Sequence, residues 1–377
     1  MSETSHDTAP PEAPQASRSS RLLPRQSAGD LLQRFGLVLA WAVVAIFFAI
    51  KLPDTFPVWG NWAQTIFGSP SSVVVAVVAL GLLVPLTTGD YDLSIGATLA
   101  LSANTVAILN VSHGWSIWAA ALAGVVVGFI VGAVNGGFVV IFGVDPFIVT
   151  LGMATFLQGI VYWISASQNI TGVSSVLSKW TIQERLFGIP VHFYYAVALA
   201  FVIWYVFEFT PLGRRLLFVG RGRNVSRLSG IRVDRMRWGA LIASATIAGL
   251  AGVLYAGAQG SSDPTSGSAF LLPAYAAAFL GATAIQPGRF NPWGTLIAVY
   301  FLATGINGLQ LLGVPSYVQQ LFYGGALVLA VALSQITRQR TEGGEGRLPT
   351  WVLGGLLAVI ALAFIGLLVY LGVTQTS

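Results

Sequence analysis

Between Pro211 and Trp238 the chain carries eight arginines, Arg214, Arg215, Arg221, Arg223, Arg227, Arg232, Arg235 and Arg237, against a single acid, Asp234. Apolar runs of about membrane length flank it, Tyr194 to Phe209 before and Trp238 to Tyr255 after. A basic segment alone suits nucleic acid or an anionic lipid surface. Set between two apolar runs it reads as a cytoplasmic loop of a membrane protein, because Arg and Lys accumulate on the cytoplasmic side. Membrane lipid is therefore an expected partner, and nucleic acid is not.

Composition agrees. Of 377 residues 55% are hydrophobic and only 9% charged, and the mean hydropathy is +0.75, whereas soluble domains carry roughly 25% charged residues. The absence of cysteine removes disulfides, thiol nucleophiles and thiolate metal sites. His6, His113 and His192 lie far apart in sequence, so no metal centre is expected. Neither Lys51 nor Lys179 ends a phosphate-binding glycine loop, so the chain should bind no ATP of its own and needs no cofactor.

Eleven spans follow from the apolar runs. Residues 1–30 read as a disordered cytoplasmic tail rich in Pro, Ser and Ala. Residues 31–334 hold ten spans, residues 335–350 form a charged Gly-rich cytoplasmic linker, and residues 351–377 carry an additional C-terminal transmembrane helix. The expected fold is an all-α polytopic membrane protein with a ten-helix core, broken helices and one extra span. With the N-terminus cytoplasmic, sixteen of the nineteen Lys and Arg residues fall inside, against Lys51, Lys179 and Arg185 outside.

Within the basic loop, residues 224–230 (NVSRLSG) predict a short helix. Asn224 is the expected N-cap and Gly230 the terminator, with Val225 and Leu228 sharing a face at i, i+3. An apolar stripe on a basic helix suits docking into a partner's groove. A topogenic charge cluster resting on lipid headgroups is the other reading of the same residues.

Acids near a bilayer are costly and hence informative: Asp90, Asp92, Asp145 and Glu208 sit at or near span ends. Asp92 and Ser94 lie where one helix stops and another begins, a place for a helix cap or for an interrupted helix that lines a cavity or is buried in protein. A second interruption, Gly281 to Pro292, resembles the paired broken segments of transporters. Asn104, Asn135, Thr150, Gln158, Asn307 and Gln310 add uncharged polar groups. They serve interhelical hydrogen bonding or a neutral, hydroxyl-rich solute. With no Glu, Lys, Arg or His deep in a span, an ion-coupled secondary carrier or channel is the weaker alternative, and a membrane enzyme weaker still. Asp92, Ser94, Asn104, Asn135, Thr150, Gln158 and Asn307 are the expected translocation-pathway residues.

Four ordered stretches resemble ribose-type sugar permeases of ATP-binding-cassette (ABC) importers: Gly89 to Asn104 (GDYDLSIGATLALSAN), Asn135 to Met153, Gly213 to Arg237, and Leu280 to Val331. The chain departs from the pattern with Asp90 for a usual Gly, Asp145 for a usual Pro and Gln158 where Arg is common. The resemblance implies a permease for a monosaccharide or a small carbohydrate such as a polyol, in a bacterial cytoplasmic (inner) membrane. It implies two copies forming the pathway, a separate cytoplasmic ATPase that hydrolyses ATP, and an extracytoplasmic sugar-binding protein. Gly213, Arg214, Arg223, Val225, Arg227, Leu228, Ser229 and Gly230 then fall in the region that couples to the ATPase.

The last apolar run, Trp351 to Leu371, contains no Ser, Thr, Asn, Gln or charged residue. At ~1.5 Å per residue it is about 31 Å long, enough to cross the hydrocarbon core, yet it offers a polar solute almost nothing. A chain ended after Gln339 is expected to insert and keep most of its uptake. Normal assembly with the ATPase but no transport in that truncation would place the helix in the mechanism.

Overall fold

The computed structural model describes the backbone of residues 28–341 and the side chains of residues 34–335. The N-terminal tail up to residue 27 and the C-terminal apolar run lie outside the described residues. Helix α1 spans Ala28–Lys51, so the last residues assigned to the tail are already helical. A short α2 (Trp59–Ala63) continues through a π-helical turn, Gln64–Gly68, into α3 (Pro70–Thr88). Then come α4 (Ile95–Ala107), α5 (Ile117–Val140), α6 (Pro146–Ile164), the single-turn α7 (Ser175–Ser178) and α8 (Val191–Phe209). The basic stretch forms α9 (Pro211–Arg221), α10 (Arg223–Leu228) and the start of α11 (Val233–Gln259), followed by α12 (Ser266–Gly281), α13 (Pro292–Leu311) and α14 (Ser316–Thr341). Among the described residues nine helices are long and apolar enough to cross a membrane, with α12 a shorter apolar helix. This is the all-α polytopic fold expected. α14 runs on to Thr341, so the start of the expected linker is helix.

Local chemistry explains the helix ends. Ser69 accepts from the Ser72 amide ahead of Pro70. Asp145 caps α6 by accepting from Phe147 N–H at 2.9 Å, with Pro146 in the first turn. Asn291 accepts from Gly294 N–H at 2.7 Å ahead of Pro292. Gly89 ends α3 with φ +77°, a conformation side chains disfavour.

Burial sorts the helices into an axle and a ring. The window of α2–α3 that could span a membrane is 83% buried, against 11% for α1 and 17% for α6 and for α14. α3 therefore reads as uniformly apolar because protein surrounds it on all sides. The apolar faces of α1, α6 and α14 are left for lipid or a neighbouring chain. His192, expected outside the spans, is buried in the first turn of α8 with Nδ1 2.8 Å from the Thr181 carbonyl.

Helices α5 and α11 pack most intimately. A methyl group at Gly128 would collide with the Ala245 carbonyl, one at Gly132 would lie 2.6 Å from Ile242 Cα, and one at Gly249 2.9 Å from the Gly124 carbonyl. Gly124, Gly128 and Gly132 recur every four residues along α5, and the spacing gives a backbone-to-backbone seam. Trp238 closes its end by donating Nε1–H to the Ala133 carbonyl at 3.0 Å. Gly132→Leu is expected to destabilise the protein by several kcal/mol, more than typical overpacking at about 1–3 kcal/mol, because backbone atoms have nowhere to go. Gly152→Leu, where a Cβ meets nothing within 4 Å, should be near neutral. Thermal unfolding of the detergent-solubilised protein compares the two.

Candidate functional site: a buried turn beneath the arginines

The six residues Gly89 to Ser94, between α3 and α4, form a turn in which Asp90, Asp92 and Ser94 are each 0% exposed. Five other elements anchor it. Arg237, at the start of α11, grips Asp90 with Nε 2.9 Å from Oδ2 and a terminal nitrogen 2.8 Å from Oδ1. Arg223 of α10 donates to Asp90 Oδ1 at 2.7 Å and to the Gly89 carbonyl at 3.2 Å. Thr150 of α6 accepts from Leu93 N–H at 3.1 Å and lies 3.2 Å from the Tyr91 carbonyl. Asn135 of α5 donates to Ser94 Oγ at 2.8 Å. Tyr275 of α12 accepts from the Asp92 amide at 3.1 Å.

Among the described residues no cation pairs with Asp92. Its Oδ1 accepts from Ser94 Oγ–H at 2.6 Å and Ser94 N–H at 3.1 Å, and its Oδ2 accepts from Ser244 Oγ–H of α11 at 2.8 Å. Burial pushes its carboxyl up from the ordinary carboxylate value, and the hydrogen bonds from Ser94 and Ser244 oppose that shift. Asp92 is not the cap of α4, whose N-cap position is held by Ser94 without a side-chain cap bond; it holds the turn against the middle of α11. The interruption lies between two helices rather than inside one span, and protein buries it, one of the settings in which irregular backbone is tolerated at depth.

Of the expected pathway residues, the structure brings Asp92, Ser94, Asn135 and Thr150 together and leaves three elsewhere. Asn104 donates to the Ala100 carbonyl of its own helix at 2.9 Å. Gln158 donates to the Pro264 carbonyl at 2.8 Å. Asn307 donates to Asn61 Oδ1 at 2.8 Å and Thr65 Oγ at 2.9 Å, at the opposite end of the bundle. The sequence reading did not single out Arg237, Ser244 and Tyr275, and took Asp90 as an acid near a span end and a departure from the family pattern, without a partner. One signal was present: Arg237 and Ser244 lie seven residues apart, two turns of one helix, and hence on one face.

The basic segment is a built surface. Thr210 caps α9 by accepting from Gly213 N–H at 3.2 Å, and Gly213 packs so closely on α8 that a Cβ would strike the Val206 carbonyl. Asn224 does not cap the short helix. The N-cap is Gly222, with φ −178° and ψ 104°, so the helix begins at Arg223 and Asn224 lies inside it. Ser226 fixes α10 onto α9 by donating to the Phe218 carbonyl at 2.9 Å. Gly230 ends the segment with φ +78°, and Ser229 donates to the Val225 carbonyl at 3.0 Å. Arg227 pairs with Asp234 at 2.9 Å, and Arg214 is exposed. Val225 is 62% exposed and Leu228 90%.

The second interruption, Gly281 to Asn291, lies at the same end of the bundle. Arg289 pairs there with Glu208 of α8 at 3.0 Å, and Ile285 N–H donates to the Arg34 carbonyl of α1. Asn291 donates to the Gly281 and Ala284 carbonyls, both at 3.0 Å, which closes the loop on itself.

The family described as the permease component of branched-chain amino acid transport systems matches residues 64–331. The chain belongs to this family. It is 31% identical to the D-allose transport system permease protein AlsC of Escherichia coli K12, over 80% of this chain and 92% of that one. It is 34% identical to the ribose import permease RbsC of Bacillus subtilis 168, over 69% of this chain and 80% of that one. The autoinducer 2 import permease LsrD of Salmonella paratyphi A is 25% identical over 82% of this chain and 95% of that one. No solved structure matches. The protein is thus a multi-pass membrane permease subunit of the ribose-type ABC importer class.

Asp90→Asn leaves Arg237 buried beside a neutral group and is expected to cost about 3–5 kcal/mol. Arg223→Gln should cost far less, because that side chain is 39% exposed and solvent screens its charge. Thermal unfolding checks the order of the two. Asp92→Ala is expected to lower uptake more than it lowers the amount of protein in the membrane. Uptake that merely tracks protein level would leave Asp92 with a structural role alone.

Proposed function

We propose that this chain is the transmembrane permease subunit of an ABC importer for a monosaccharide or related small carbohydrate. A separate cytoplasmic ATPase drives it and an extracytoplasmic binding protein feeds it. Two copies form the pathway, with the N-terminus and the basic segment cytoplasmic. The allose and ribose permeases named above support the carbohydrate reading, and the excess of arginine at one end of the bundle supports the orientation.

The observation that carries the proposal is a pairing of opposites within one short segment. Leu228 is 90% exposed, whereas Arg223 of the same six-residue helix is bonded to fully buried Asp90. An ATPase groove that takes up Val225 and Leu228 would pull on α10. α10 pulls on Asp90, and Asp90 sits in the turn joining α3, α4 and α11. Displacement at the surface thereby reaches the buried serines, Asp92 and Tyr275 without a flexible joint. A loop that only rests on lipid headgroups leaves this rigid link without a use.

Leu228→Asp is expected to abolish ATPase association or to uncouple hydrolysis from uptake, with membrane insertion unchanged. Co-purification of the two chains and sugar uptake in vesicles measure both. Unaltered association and uptake would return the segment to a purely topogenic role.

A further inference from the structure

At the end of the bundle opposite the arginines lies a cavity of about 430 Å³ between the π-helical turn Gln64–Gly68, α3, α13 and α14. Its volume falls within the ~300–1,000 Å³ of small-molecule sites. Along α13 the lining runs from Val299 to Gln310, about 16 Å at ~1.5 Å rise per residue. The upper wall is uncharged and polar, carrying Gln64, Ser72, Asn307, Gln310, Gln319 and Tyr323. The floor is apolar, with Val75 and Leu302.

The hydrogen-bonding capacity of this wall is partly spent and partly open. Asn307 gives both amide hydrogens to Asn61 and Thr65, which leaves its carbonyl oxygen accepting from none of the described residues. The side chains of Gln310, Gln319 and Tyr323 make no hydrogen bond among the described residues. Gln310 is exposed and Gln319 and Tyr323 are half-buried, so these groups are open to water or a solute. A π-helical turn places Gln64 and Thr65 at the rim, and such turns recur at functional sites.

We propose that this cavity is an outer vestibule that receives one neutral, polyhydroxylated solute before it passes the buried turn at the other end. The assignment rests on the importer reading above and adds the place where the chain itself meets its cargo. Amide and phenol groups match the donors and acceptors of a sugar or polyol. An amino acid brings a carboxylate and an ammonium group, and the lining holds no charged side chain to meet either.

The chain contains no cysteine, so a single introduced thiol reports on the cavity. Gln319→Cys in the full chain, assembled with its ATPase in cells, is labelled with a membrane-impermeant maleimide from outside. D-ribose or D-allose is expected to slow labelling about fivefold at a concentration about four times the dissociation constant, and leucine to leave it unchanged. Adding Gln310→Leu should raise the half-protecting sugar concentration severalfold. Radiolabelled uptake by the unaltered chain separates the two readings. Import of ribose or allose without protection, or a thiol unreachable from outside, overturns the vestibule alone. Import of no sugar or polyol from a panel that includes ribose and allose, or of leucine instead, overturns the importer reading and the vestibule with it.

Discussion

A carboxylate with no exposed surface holds the arginine end of this protein together. Asp90 accepts from Arg237 through both oxygens and from Arg223 through one. An isolated charge at that depth would be prohibitive, and a buried pair is tolerated only when its remaining hydrogen-bonding groups are also satisfied. The Gly89 to Ser94 turn meets that condition by recruiting side chains from α5, α6, α11 and α12. Two layers result: an ionic layer at Asp90 that faces the basic segment, and a neutral hydroxyl layer around Asp92 that faces the helix bundle. The first joins the turn to the surface, and the second joins it to the core.

Among the described residues no other ion pair is as deeply buried. The rigidity of the rest of the bundle comes from close approach of backbones, above all at the α5–α11 seam, where Gly124, Gly128, Gly132 and Gly249 let carbonyls and Cα atoms touch. Lipid is as apolar as leucine, so burial alone gives helices little reason to associate in a membrane; close packing and hydrogen bonds must do so. α11 serves both purposes. Its small residues make the seam, while Arg237 and Ser244 on the same helix reach the turn. Any rotation of α11 would therefore disturb the seam and the turn together.

Sequence patterning revealed what is local. The apolar runs marked the helices, and the pairing of Val225 with Leu228 marked an exposed apolar stripe. Asn224 misled because capping preference is a tendency of residue type; extended Gly222 sets the cap two residues earlier. Asp90 was the larger omission. Its partners lie 133 and 147 residues away, and no periodicity carries information over such distances. The uncharged polar residues were legible as a class and not as a site. Asn135 and Thr150 meet at the buried turn, whereas Asn307 joins Asn61 and Thr65 at the far end, and only the helix packing decides which goes where.

The separation between Asp90 and its cations also bears on how the chain is made. The anion leaves the ribosome 133 residues before Arg223, and at about 5–20 residues per second that interval is on the order of ten seconds. Helices α4, α5, α6 and α8 are all synthesised within it. During that time the α3–α4 turn holds a carboxylate with no guanidinium to meet it, so it has reason to stay near the aqueous surface until α10 and α11 arrive. The buried turn would then close only after most of the helices around it had been made: its ionic layer when α10 and α11 arrive, and its last hydrogen bond when Tyr275 of α12 follows.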